Sequence, residues 1–156
     1  MAIDISVGIA IEAPVEDVWS YVAQIERHVD WMADAESITF LTDQTRGTGT
    51  RMSVATAVGP LRTTDIMEFT DWEPPHRMAI RHEGLVTGEG AFTLEPYGVG
   101  TWFSWSEQLS FPTHLGGDVT GLAAKPVLTA VWRRNLKRLA RHFSTASPEE
   151  GGTTIS

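Results

Sequence analysis

The 156-residue sequence contains no cysteine. Disulfides, thiolate nucleophiles and thiolate metal ligation are thereby excluded, and the composition suits a cytoplasmic protein. No run of ~18 apolar residues occurs, so no segment is expected to span a membrane. The N-terminal stretch MAIDISVGIAIEAP has no basic region and meets acids at Asp4 and Glu12, so it is not read as a secretion signal. Positive charge is scarce: 12 Lys and Arg stand against 20 Asp and Glu, a net charge of −8. A nucleic-acid partner is not expected on such a balance, because phosphate contacts need a basic surface. The five histidines (28, 76, 82, 114 and 142) lack metal-ligand spacing. No nucleophile elbow of the G-x-S-x-G kind is present. Gly47-x-Gly49 leads into a strand rather than a helix, so it is no phosphate loop. Neither a metal nor a cofactor is expected.

What the chain does have is six tryptophans and a strong strand pattern. Ile3, Ile5, Val7, Ile9 and Ile11 alternate with polar or small residues, which predicts a first strand. Pro14 stands where a helix should begin, with Glu16 and Asp17 in its first turn, where carboxylates suit the helix dipole. A second short helix is expected around Glu26–Met32. Alternation and turn residues then predict six strands in a meander, at about 36–42, 49–58, 61–71, 77–83, 86–95 and 100–111. Gly116-Gly117 closes that region, and Asp118 can cap a helix running to about Phe143, with Pro126 as an expected kink. One domain over residues 1–143 is expected. Residues 144–156 are small and polar and are expected to form a disordered tail.

The last helix sorts its residues by angle. At ~100° per residue, Arg133, Arg134, Lys137, Arg138 and Arg141 fall on one side. Leu128, Val131, Trp132, Leu136, Leu139 and Phe143 fall on the other, and Asn135 intrudes among them. A basic stripe of this kind is most simply a solvated helix face. The apolar stripe should lie on the sheet.

The stretch GTWFSWSEQLSF contains a second intruder. Phe103, Trp105, Leu109 and Phe111 point one way, and Glu107 points with them. A two-residue turn at Gly98-Val99 sets Leu94 opposite Phe103, Phe92 opposite Trp105 and Gly90 opposite Glu107. A three-residue turn at Gly84–Val86 sets His82 opposite Gly88, Ile80 opposite Gly90 and Met78 opposite Phe92. Two glycines thus stand in the middle of the inner face, where a filled core would want Val or Ile. The pattern predicts a gap between sheet and helix, with Glu107 and His82 on its flanks. Strand spacing puts their Cα atoms ~10–12 Å apart, so direct contact is not expected and a ligand or waters would bridge them. Met67 and Phe69 are placed inward, which carries Asp65 inward too.

The ordered set of segments carries a family resemblance. A first strand leads into APVEDVW; Trp31 sits in the second short helix; Gly49-Thr50 opens a strand. FTDWEPPHRM, Gly100-Thr101 with Trp105, FPTHLGG and a long helix with NLKRLA follow. Over residues 3–143 this resembles the START/Bet-v-type superfamily, in particular the polyketide cyclase/dehydrase-like SRPBCC proteins. The resemblance implies an α+β helix-grip fold: a seven-stranded antiparallel sheet curled around a long C-terminal helix, with two short helices after strand 1. It also implies a cavity for lipophilic molecules. The family includes carriers as well as aromatase/cyclases and shares no one catalytic motif, so the resemblance assigns no activity.

The leading expectation is a protein that binds a hydrophobic or amphipathic small molecule, such as an aromatic, polyketide-like, sterol-like or fatty one. Its expected walls are Trp31, Met52, Val54, Met67, Phe69, Ile80, Phe92, Leu94, Phe103, Trp105, Val127, Val131 and Trp132, over a floor of Gly88 and Gly90. Glu107, His82, Asn135 and Asp65 would meet the ligand's polar atoms. The alternative is a cyclase/dehydratase of lyase type with Glu107 and His82 as acid and base. A third reading is an interaction module using the basic helix face. Each polar residue also has a plain reading: Glu107 hydrated at the cavity mouth or paired with an arginine such as Arg51, His82 hydrogen-bonded at a strand end, Asn135 satisfied by water or backbone, and Asp65 pointing outward or at the mouth. The sequence leaves the oligomeric state, monomer or homodimer, open.

Overall fold

The computed structural model describes residues 2–144. Apart from Ser144, which ends the last helix, the expected tail lies outside the described residues. Seven strands form one antiparallel sheet: β1 (Ile3–Ile11), β2 (Ala35–Phe40), β3 (Arg51–Val58), β4 (Leu61–Glu73), β5 (Arg77–Glu83), β6 (Thr87–Tyr97) and β7 (Gly100–Ser110). Their order is β1-β7-β6-β5-β4-β3-β2, so the meander is closed off by β1 laid against β7. Helix α1 (Val15–Val22) and a 3₁₀ helix (Ile25–Asp30) connect β1 to β2, and α2 (Asp118–Ser144) follows the sheet. This is the α+β helix-grip arrangement that the sequence resemblance implied.

Local chemistry explains the elements. Pro14 precedes α1 in an extended conformation, and its carbonyl accepts from the Asp17 and Val18 N–H groups. Val15, Val18, Trp19 and Val22 of α1 are all buried. The second short helix is 3₁₀ rather than α and starts one residue earlier than expected. It covers only six residues, too few to repay the cost of an α-helical nucleus. Pro126 is accommodated inside α2. Along that helix Trp132, Asn135, Leu136 and Leu139 are buried while Arg133, Arg134, Lys137 and Arg138 are exposed, as the angular sorting required.

The hairpin registers match the turn chemistry. Gly90 pairs with Glu107, Phe92 with Trp105 and Leu94 with Phe103. His82 pairs with Gly88, Ile80 with Gly90 and Met78 with Phe92. Farther along, Met52 pairs with Met67 and Val54 with Asp65. Met67 in turn pairs with His82, and Phe69 with Ile80. Because side chains alternate, these pairs form continuous rows on one face of the sheet. The inner face therefore carries Asp65, His82 and Glu107 among apolar residues.

Candidate functional site

A cavity of about 200 Å³ lies between the inner face and α2, with a predominantly apolar lining. Met52, Val54, Met67, Phe69, Ile80 and Phe92 line it from the sheet, with Trp105 beside them. Val127 and Trp132 line it from α2. Val127 is half exposed and so sits at the open end. Asp65, His82 and Glu107 also reach this wall.

Each carboxylate oxygen of Glu107 has a protein partner. Its Oε1 accepts the Trp105 indole N–H at 3.1 Å, and its Oε2 lies 2.9 Å from His82 Nε2. His82 is 9% exposed and Glu107 6%. The two side chains were expected not to meet, and that expectation is overturned. Beside the pair, the strand between them carries Gly88 and Gly90 on this face, so the Glu107 side chain lies across the bare backbone of Gly90. A Cβ at Gly90 would stand 2.7 Å from both Glu107 Cγ and Oε1. At Gly88 φ is +142°, and a Cβ would strike the Gln108 carbonyl. The glycines are required by close approach. Arg51 is not the partner of Glu107. It holds Glu68 at 2.7 Å and Glu83 at 3.2 Å.

Burial depresses the His82 pKa, but the hydrogen bond and charge of Glu107, with the charge of Asp65, outweigh it and raise the value above 6.5. His82 thus leans toward imidazolium. Asp65 is 6% exposed; its Oδ1 accepts the Leu85 N–H at 3.2 Å and its Oδ2 the Thr63 hydroxyl at 3.3 Å. A Cβ at Gly84 would collide with this carboxylate. Gly90→Ala should push Glu107 away from His82, with an overpacking cost of about 1–3 kcal/mol. The His82 pKa should then fall, because burial persists while the hydrogen bond and charge of Glu107 are lost and only the smaller effect of Asp65 remains to offset it. An NMR titration of the ring checks this, and an unchanged pKa would refute the close-approach reading.

Several expected wall residues lie elsewhere. Leu94 and Phe103 are fully buried in solid packing, and Val131 lies off the cavity lining. Trp31 sits behind the wall, edge-on to Trp105 and Phe103 with centroids at 6.1 and 6.3 Å. Gly88 and Gly90 form the floor under Glu107 without bordering the space themselves. Asn135 is fully buried, but it is a clamp: its Oδ1 accepts the Ala33 N–H at 3.0 Å and its Nδ2 donates to Asp34 Oδ1 at 2.7 Å. It fixes the segment before β2 to α2.

Reading the sequence missed Asp34, Thr63 and His28, all of which border the cavity. Asp34 and His28 fall in the irregular segment around the 3₁₀ helix, where no periodicity signals direction. Thr63 did share a face with Asp65, and that alternation was the available signal. Among the described residues no cluster of three or more His, Asp or Glu could hold a metal ion. None of the described helices is long and apolar enough to cross a membrane.

Sheet, cavity and gripping helix define a START-like helix-grip protein. The chain belongs to the family described as polyketide cyclase/dehydrase and lipid transport, whose model matches residues 2–144. Among solved structures, TTHA0849 from Thermus thermophilus superposes with a TM-score of 0.80 at 19% identity, over 93% of this chain and 99% of its own. The Zhui aromatase/cyclase from Streptomyces sp. R1128 gives a TM-score of 0.72 at 17% identity, over 92% and 94%. A START superfamily protein from Mycobacterium smegmatis gives 0.74 at 12% identity, over 92% and 98%. At these identities the likeness is one of fold. No curated protein matches the sequence.

Proposed function

We propose that this protein binds a compact hydrophobic or amphipathic molecule in the cavity between sheet and α2. The observation carrying the proposal is an apolar space bordered by few buried polar side chains, His28, Asp65, His82 and Glu107. Sites of this composition hold small ligands through apolar contact and orient them through few polar atoms. Drug-sized sites are commonly ~300–1,000 Å³, so the volume here favours a molecule of one or two rings over a long folded chain. Trp105 and Trp132 stack at 4.6 Å and 15°, offering such a ring a flat aromatic flank. Native mass spectrometry of fresh protein, followed by tryptophan fluorescence titration with small aromatic probes, tests the reading. A retained adduct or saturable quenching is expected. A bare mass with no response to any probe would refute it.

The His82–Glu107 pair supports a second reading, a cyclase/dehydratase-like enzyme. Such a pair can move a proton to and from a bound carbonyl compound, and one structural neighbour is an aromatase/cyclase. Glu107→Gln separates the two readings. Turnover of a true substrate should drop by about 10²–10⁴-fold in an enzyme, whereas a carrier should retain most of its binding.

A further inference from the structure

We propose that the polar end of the ligand is an uncharged hydrogen-bond donor, a hydroxyl in the simplest case, and that the cavity rejects carboxylate-bearing molecules. This rests on the binding reading above and specifies its ligand class. Among the described residues three carboxylates border the space, those of Asp34, Asp65 and Glu107, and no lysine or arginine does. Asp34 is held by the Asn135 amide, which is neutral. Two histidines border the space: His82 is committed to Glu107 at 2.9 Å, and His28 donates to the Val22 carbonyl at 2.7 Å and is kept neutral by burial. Asp65 has no cation of its own. It is held by one backbone N–H and one hydroxyl, and a carboxylate has acceptor capacity for more.

A ligand anion would meet the uncompensated negative charge of Asp34 and Asp65 in a mostly apolar space, where like-charge repulsion is strong. A hydroxyl would instead donate to a carboxylate and strengthen the site. A hydroxyl can donate to Asp65, an ether can only accept, and a carboxylate brings the wrong charge.

The test compares three ligands that share one ring system: 2-naphthalenemethanol, its methyl ether and 2-naphthoate. Affinities are measured on the full chain at pH 7.5 by tryptophan fluorescence and calorimetry. The alcohol should bind at least about tenfold more tightly than the ether and the carboxylate, the worth of one charge-assisted hydrogen bond. Asp65→Asn, close to isosteric, should narrow the alcohol-to-naphthoate ratio by strengthening naphthoate. Naphthoate binding as tightly as the alcohol to the unsubstituted protein would overturn the donor-selectivity inference and leave the binding reading intact. Equal affinity of alcohol and ether would do the same. Failure of all three to bind would overturn the binding reading itself, and the inference with it.

Discussion

Replacing Glu107 with alanine is expected to destabilise the protein by about 3–5 kcal/mol, the usual cost of removing one partner from a buried charged pair. Two donors lose their acceptor at once. The Trp105 N–H and the His82 Nε2–H both end on this carboxylate, and neither is placed to reach solvent. For a chain of this length the loss should lower Tm by roughly 10 °C or more. The cost should come from the stranded partners rather than from the pair's own worth. Glu107→Met combined with His82→Phe should therefore recover most of the loss, because a well-packed apolar replacement of a buried pair is often neutral. Urea titrations of the single and double variants measure both numbers. A loss below about 1 kcal/mol for Glu107→Ala would mean that the pair is as well solvated as a surface ion pair. Recovery of stability without recovery of ligand binding would fit a pair kept for its chemistry.

Acid should weaken the fold through His28. Its ring is buried, donates from Nε2 to the Val22 carbonyl at 2.7 Å, and packs against Trp31 and Phe92. Burial lowers its pKa from 6.5 to about 4. The unfolded chain thus takes up this proton near pH 6.5, while the folded chain refuses it until about pH 4. The stability held by the neutral ring is complete above 6.5 and is lost as pH falls toward 4. The slope is about 1.4 kcal/mol per pH unit and the total roughly 3 kcal/mol. His82 has the opposite sign. Its raised pKa gives a contribution that is complete below 6.5 and fades as pH rises through the folded value. It therefore does not mask the acid loss. Unfolding free energies at pH 7, 5.5 and 4 should show His28→Gln losing about 3 kcal/mol less than the unsubstituted protein over that range. Parallel pH profiles for the two proteins would contradict the assignment.

Much of the architecture was readable because strands and helices have short, rigid periods. Alternation placed all seven strands within two residues or so at their ends. The glycine turns at Gly84 and Gly98 fixed two hairpin registers, and register fixed which residues share a face. The inward placement of Asp65 followed from the same rule applied to Met67 and Phe69. The segment around Asp34 and His28 was not readable, because a short 3₁₀ helix and a loop impose no period.

The residues alone thus determined that Glu107, His82 and two glycines share one face of a sheet, and that a half-apolar, half-basic helix covers it. That follows from local geometry, in which each side chain's direction is set by its neighbours in the strand or helix. Only the tertiary structure decided which side chains touch. His82 and Glu107 meet because side-chain rotamers close the gap that strand spacing leaves open, over a floor with no Cβ atoms. Asn135 became a clamp because the loop carrying Ala33 and Asp34 passes α2 at hydrogen-bonding distance. The first contact joins residues 25 positions apart and the Asn135 contacts residues 101 and 102 apart, and no local period encodes them.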